Sequence, residues 1–513
     1  MKKLSRLSKV SLMLAVLFAI DKVLGIFRQM VISRQFQLSA ELDVFNAANN
    51  VPDMLFMLIS GGALALAFIP VLSEVLTKEG QKKSWDLFSN ILNIAFLVTA
   101  VAAIVVAVFA RPLVGSNIGV APGFSEAQIS ETVSLMRLNL IATLIFSVSG
   151  LVMSGLQANQ HFLLPALAPI FYDLGQIFGA VVLSPTEPMQ FGLIQLPAFG
   201  MGTQGLVYGV IIGAILHLLI QIPGLIKYKF HWVPKVDIGE ASTRKVFRMI
   251  WPRLISMACI SLIFIGQDNF ASRLEAGAIS ALTYGWWIMQ IPETLIGTAI
   301  ATAILPTLSE LASSEKLGEV KEQVERAGRV MLGLTIPIAV IAGLVLMPIV
   351  QRFLSLNDVD AARVSLVTQV YLLGIVGHSL VELFVRTFYA LQKPKWPMIG
   401  AIGTLVAYLA FAAISLATKN ETTLALANTV AYSLQAIFLF VMLVKTLPQG
   451  PNLKPAFLKA ILAALLGGGA TFALMRFVPV ISGSMFGAIM AFMVGIAIAA
   501  VVVRRDVAVL GRL

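Results

Sequence analysis

Long apolar runs alternate with short polar clusters along the whole chain. The runs fall at about 9–33, 43–74, 86–110, 130–156, 162–183, 203–224, 244–272, 277–313, 327–353, 363–390, 394–416, 424–446, 455–478 and 482–504. Each is long enough for the ~20 helical residues that cross ~30 Å of hydrocarbon. The pattern therefore predicts an all-α polytopic membrane protein of about 14 transmembrane helices. The first run follows Lys2, Lys3, Arg6 and Lys9, as the core of a signal peptide would. Asp21-Lys22 interrupts it and no small-residue cleavage site follows, so it reads as a retained first helix.

One phrase occurs twice. Gly61-Gly62-Ala63-Leu64-Ala65-Leu66-Ala67-Phe68-Ile69-Pro70-Val71-Leu72-Ser73-Glu74 returns 236 residues later as Gly297-Thr298-Ala299-Ile300-Ala301-Thr302-Ala303-Ile304-Leu305-Pro306-Thr307-Leu308-Ser309-Glu310. Two unrelated apolar helices would not share a Pro and a terminal Ser-Glu in register. Leu156-Gln157 and Leu391-Gln392 repeat at nearly the same offset. Six predicted helices separate the copies, an even number, so both halves enter the membrane in the same direction. That is a parallel repeat, a frequent transporter design. The expected organisation is an N-terminal lobe at 1–226 and a linker with the start of helix 7 at 227–248. A C-terminal lobe at 249–446 and an extra helix pair at 447–513 follow. Two similar six-helix halves can rock about a central site. Between helices 8 and 9, Ser313 to Arg329 alternates Glu with Lys and Arg and predicts an amphipathic helix on the membrane surface.

Composition strengthens the membrane assignment. Of 513 residues 58% are hydrophobic and 12% charged, and the mean hydropathy of +0.89 excludes a soluble domain. The net charge of +11 comes from loops rather than from a nucleic-acid surface. Placing both termini in the cytoplasm gathers most loop Lys and Arg on that side, from Lys78, Lys82 and Lys83 to Arg504, Arg505 and Arg512. Only Arg34, Arg111, Arg273, Arg352, Arg363, Lys419 and Arg476 remain opposite. The expected location is the inner (cytoplasmic) membrane. The single Cys259 supports no disulfide, and His161, His217, His231 and His378 lack ligand spacing, so neither metal nor cofactor is expected. No nucleophile elbow, phosphate-cradling Gly loop or nucleotide motif occurs, which favours a transporter over an enzyme.

Ionisable residues inside helices cost roughly 2.5–3.5 kcal/mol each on insertion scales, so they mark partners or wet cavities. Helix 1 carries Asp21, Lys22 and Arg28. Helix 2 carries Asp43, Asn46, Asn49, Asn50 and Asp53 at near-helical spacing. Together they form a polar wall, read either as a transport cavity or as structural ion pairs. The second half offers Arg253 after Pro252, Gln267-Asp268, and Trp286-Trp287 followed by Gln290, Pro292 and Glu293. The tryptophans suit an interfacial anchor or a surface for stacking a sugar ring. Glu382 and Arg386, spaced i,i+4, suit a self-contained ion pair. Pro52, Pro70, Pro292 and Pro306 are hinge candidates.

Val23-Leu24-Gly25-Ile26-Phe27-Arg28, Leu42-Asp43-Val44-Phe45, Val51-Pro52 and the Gly62-to-Glu74 phrase resemble the opening of the MurJ (MviN) family. Gly277-to-Tyr284, Ala299-to-Glu310 and Phe388-Tyr389-Ala390-Leu391-Gln392 resemble its helices 7–8 and 10. The resemblance is collinear through helix 12. It implies the multidrug/oligosaccharidyl-lipid/polysaccharide exporter fold, two six-helix lobes forming a V-shaped cavity that alternates access, with helices 13–14 forming a groove for a polyprenyl tail. It implies a flippase that moves lipid II, the polyprenyl-pyrophosphate-linked peptidoglycan precursor, from inner to outer leaflet. Lys22 and Arg28 would attract the pyrophosphate and Asp43 would orient them. The chain departs from the family's charged cavity at Phe56 or Met57, at Gly61 and at Trp286-Trp287. Helix 11 offers only Thr404 and Tyr408 for a sodium site, so a sodium-independent cycle is expected. The alternatives are a flippase for another lipid-linked glycan, a drug exporter of the same fold, or a non-transporting scaffold. Expected partners are membrane lipids and the glycan substrate. The chain should act as a monomer, with cell-wall synthesis proteins as candidate neighbours.

Overall fold

The structure, a computed structural model, describes residues 6–60, 62–191, 194–478 and 484–508. Side chains at 6–12, 15, 60, 62–67, 189, 191, 194, 249, 252 and 253 are not among those described. Gly61, Lys2, Lys3, Arg512 and the side chain of Arg253 therefore lie outside the described part.

The chain is built from helices. In the first half these are α1 (Arg6–Phe36), α2 (Ala40–Leu55), α3 (Gly62–Glu79), α4 (Gln81–Gly115), α5 (Glu126–Ala158), α6 (Leu163–Phe178), α7 (Gly202–Leu219), α8 (Ile222–Lys227) and α9 (Ala241–Ala271). They are followed by α10 (Ala278–Glu293), α11 (Ala299–Ser313), α12 (Leu317–Phe353), α13 (Asp358–Ala390), α14 (Lys395–Ala412), α15 (Ser415–Thr418), α16 (Thr422–Thr446), α17 (Lys454–Phe477) and α18 (Met485–Val507). Among the described residues, 12 helical stretches are long and apolar enough to cross a membrane. The chain divides into two compact units, Met1–Asn269 and Phe270–Leu513.

Among the described residues, three helical stretches contain a π-helical turn, in which hydrogen bonds run i→i+5. One joins α2 to the α3 region at Phe56–Ser60, one continues α6 at Gly179–Leu183, and one joins α10 to α11 at Thr294–Thr298. The first directly precedes the first copy of the repeated phrase and the third overlaps the start of the second at Gly297-Thr298, so a backbone irregularity accompanies both copies. Pro52 and Pro292 lie just before these turns, and Pro70 and Pro306 lie exposed within α3 and α11.

In the first unit, Phe68, Leu72, Trp85, Phe88, Leu151 and Leu156 form a core between α3, α4 and α5, closed by Val246 and Ile250 of α9. Glu74, which ends the first copy of the phrase, bonds Lys245 of α9 at 2.6 Å and Lys78 at 2.9 Å. The two ammonium groups hold this exposed carboxyl down to about 2. A short hairpin, β1 (Met189–Phe191) with β2 (Ile194–Leu196), fills the connection after α6 and was not foreseen from the pattern.

In the second unit, α17 and α18 pack on α12 rather than standing apart. A Cβ on Gly467 would meet the Gly495 carbonyl oxygen at 2.5 Å and Ile341 Cδ1 at 3.0 Å, a closeness only glycine permits. The Glu-rich segment after Ser313 corrects the expected surface helix. It is the first part of α12, and its Val320, Val324 and Ala327 are fully buried beside Leu308 and Leu453. Its charges pair along the opposite face, as Lys321 with Glu325 and Glu322 with Arg326. The apolar stripe was legible, but it faces protein instead of lipid.

Candidate functional site

In α1, Asp21, Gly25 and Arg28 follow a 4–3 spacing and share one helix face. That face meets α6. Arg28 Nη1 donates to Asp173 Oδ1 at 2.7 Å, and Asp173 is only 6% exposed. The charges of Asp21 and Lys22 also reach Asp173. Lys22 Nζ stands 4.0 Å from Asp21 Oδ2, and its side chain is 75% exposed. Tyr172, next to Asp173, lies within reach of Arg28 and Asp53. One neighbourhood thus holds Asp21, Lys22, Arg28, Asp53 and Asp173. The expected orienting partner of Arg28 was Asp43, but the partner observed is Asp173. It comes from a helix that the sequence reading left without a role, although a lone acid in an apolar run carries the same warning as Asp21 did.

The polar stripe of α2 does not act as one wall. Asn49 receives a hydrogen bond from Asn139 of α5, and Asn50 donates to Asp268 of α9. Asp43, buried at 3% exposure, is an electrostatic neighbour of Asp268. Asp53 turns to the Arg28 neighbourhood, with Tyr172 between them. The stripe fans out over three helices because successive polar residues advance by 100° per position.

Phe56, where the resemblance would place an arginine, packs on Phe146 at 5.1 Å between ring centroids, and Phe146 packs edge-on to Tyr172 at 5.1 Å. Met57 Sδ accepts from Ser261 Oγ at 3.7 Å. These two positions serve packing beside the charged cluster, with no formal charge of their own.

The second unit has its own charged group. Glu293 is buried at 5% exposure and accepts from Thr298 Oγ1 at 3.3 Å. The two residues are five apart, a spacing that an α-helix would set on different faces and that the π-turn brings together. Glu382 and Arg386 form the ion pair expected from their spacing, and their charges reach Glu293. Trp286 stands edge-on to Tyr371 at 5.6 Å and to His378 at 5.2 Å, and His378 stacks on Tyr432 at 3.9 Å. His378 Nε2 also meets Asn428 Oδ1 at 3.0 Å. Trp286 therefore belongs to a packed aromatic group inside its unit, and Trp287 beside it is partly exposed. The sequence reading had given His378 no role.

A family model described as lipid II flippase MurJ matches residues 32–493. A lipid II flippase MurJ of Burkholderia cenocepacia is 28% identical over 400 residues, covering 75% of this chain and 74% of that protein. A probable lipid II flippase MurJ of Vibrio cholerae is 29% identical over 450 residues, covering 85% and 82%. Among solved structures, a lipid II flippase MurJ in an inward closed conformation superposes with a TM-score of 0.77 at 21% identity, over 96% of this chain and 98% of that one. A MATE family multidrug resistance transporter in an inward-facing conformation superposes with a TM-score of 0.66 at 12% identity, over 82% and 93%. The chain shares its fold with both of these solved structures.

Proposed function

Because the chain belongs to the MurJ family of lipid II flippases, we propose that it moves lipid II from the inner to the outer leaflet by alternating access, with Lys22 and Arg28 as the pyrophosphate ligands. It is a transporter of the cytoplasmic membrane and not an enzyme. Both termini face the cytoplasm, and the lobes at 1–226 and 249–446 rock about a central cavity. Asp21, Asp43, Asp53, Arg253, Trp286 and Trp287 contribute to that cavity, and Pro52, Pro70, Pro292 and Pro306 absorb the bending.

The observation that carries this reading is the ion pair between Arg28 and Asp173. An alternating carrier must also return empty, and an uncompensated guanidinium inside the membrane would oppose that step. Asp173 supplies the missing charge. When the substrate arrives, its pyrophosphate competes for Arg28 and offers more oxygens in a geometry suited to a guanidinium fork. Exposed Lys22 supplies a second cation. The pair thus neutralises the empty site and yields to the loaded one.

The test uses purified full-length protein in vesicles with labelled lipid II, together with rescue of cells depleted of their own lipid II flippase. Lys22→Ala and Arg28→Ala should each abolish translocation while leaving insertion intact. Failure of the well-inserted unmodified chain to rescue would overturn lipid II as substrate. Full activity of both variants would overturn the ligand assignment. A second reading, a flippase for another lipid-linked glycan, is favoured by one observation: Phe56 and Trp286 hold aromatic packing where the resemblance would place charge. Competition of unlabelled glycolipids against lipid II separates the two.

A further inference from the structure

The connection between α8 and α9 has the reverse of the usual surface pattern. From His231 to Ile238 it alternates with period two between half-exposed and more exposed positions. The half-exposed set is His231, Val233, Lys235 and Asp237, whose polar side chains are 40–44% open. The exposed set is Trp232, Pro234, Val236 and Ile238, all apolar, with Trp232 at 58%, Val236 at 53% and Ile238 at 62%. A strap bathed in water would turn its polar residues outward.

Its polar backbone groups are met by side chains of α4. Asn93 Nδ2 donates to the carbonyls of Val233 at 2.8 Å and Lys235 at 2.9 Å. Asn90 donates to the Asp237 carbonyl at 2.8 Å and accepts from the Asp237 N–H at 2.7 Å. Trp85 Nε1 donates to the Tyr228 carbonyl at 3.0 Å. The inward charges are also paired, His231 with Asp86 at 3.1 Å and Lys235 with Glu240 at 2.8 Å. Substituting amide side chains for water along a strap is needed where water is scarce. Even the exposed indole follows this rule, since Trp232 Nε1 donates to Asn93 Oδ1 at 2.8 Å.

The length of α4 sets the depth. Its segment 94–110, between Asn93 and exposed Arg111, spans about 25 Å at ~1.5 Å per residue, so all of it is needed to cross the ~30 Å hydrocarbon core. The strap therefore runs beside the part of α4 that occupies the membrane boundary. Exposed Lys227 and Lys229 lie before it and exposed Arg244 and Arg248 after it, and Trp251 on α9 is 66% exposed. Bases flanking an aromatic and aliphatic edge match an anionic lipid interface.

We propose that residues 231–238 are an interfacial strap, seated at the headgroup–acyl boundary next to the α4 N-terminus, with Trp232, Val236 and Ile238 among the chains of anionic phospholipids. On the sidedness proposed above this is the inner leaflet, but the depth does not depend on that assignment.

The experiment uses the full chain carrying Cys259→Ser, with Val236→Cys or Ile238→Cys spin-labelled in phosphatidylethanolamine–phosphatidylglycerol vesicles. Expected is high collision with oxygen and low collision with a water-soluble nickel chelate at both positions. Ready access of the chelate, or shielding from both reagents, would overturn the proposal. Native-chain fluorescence gives a readout free of labelling. Brominated phosphatidylglycerol should quench the protein more than it quenches Trp232→Phe, and equal quenching would overturn it. Arg244→Gln with Arg248→Gln should weaken the preference for brominated phosphatidylglycerol over brominated phosphatidylcholine severalfold. An unchanged preference would overturn the anionic part of the claim.

Discussion

Arg28 and Asp173 are 145 positions apart and meet at 2.7 Å. Around them stand two cations, Lys22 and Arg28, against three carboxylates, Asp21, Asp53 and Asp173. An anion binds there only by loosening a carboxylate from a cation. Asp173→Asn should therefore bind a pyrophosphate lipid roughly tenfold more tightly, since removing one nearby negative charge by ~1.4 kcal/mol changes affinity by that factor. Turnover should fall, because the empty carrier must then return with an unneutralised guanidinium. Equilibrium binding and single-turnover translocation separate the two effects. Unchanged binding would remove Asp173 from the site. Asp21, Lys22, Arg28 and Asp53 were legible because charges inside apolar runs are rare enough to notice one by one. Their pairing was not, since a contact between helices this far apart leaves no local trace.

At the scale of the helix, apolar periodicity located the runs well, while the π-turns escaped it. A π-turn shifts the register by a single residue, and a run apolar on most sides conceals that shift. Its consequence is local and testable at Gly297, the first residue of the second copy of the phrase. A methyl there would lie 2.7 Å from both Glu293 Oε1 and Ser379 Oγ. Gly297→Ala must open the π-turn or push the Glu293 carboxyl away from Thr298, so loss of about 1–3 kcal/mol is expected. A fall in detergent melting temperature together with slower translocation would be the result. An unchanged melting temperature would mean that the turn relaxes freely and that the Glu293–Thr298 contact is dispensable. The short hairpin after α6 was equally hidden, because three-residue strands carry too little alternation to rise above a loop. The charged start of α12 was read correctly as amphipathic and wrongly as lipid-facing. Periodicity identifies an apolar face without naming what covers it.

Across the whole molecule the repeat was the most legible feature, since in-register Pro and Ser-Glu survive in an otherwise generic apolar text. It pointed to two similar halves, and the halves differ in chemistry. The first unit gathers Lys22, Arg28 and three acids, whereas the second centres on Glu293, the Glu382–Arg386 pair and an aromatic group around His378. Two similar frames with unlike interiors suit a carrier that holds one asymmetric substrate. Direction of transport then depends on which face carries the basic loops. The proposed sidedness follows the Lys and Arg distribution and predicts the turns near Gln392 and Gln449 in the cytoplasm and the turn at Lys419 outside. In the Cys259→Ser background, Gln392→Cys and Gln449→Cys should react with an impermeant maleimide only in inverted vesicles. Lys419→Cys should react only in right-side-out vesicles. The reverse pattern would invert the leaflet from which Lys22 and Arg28 load, and with it the direction of lipid II movement. Labelling of all three sites in both preparations would mean insertion in both orientations, contrary to the strong charge bias. Because Lys419 is the one base of its loop, Lys419→Cys also removes an opposing charge, so it should sharpen the predicted orientation rather than blur it.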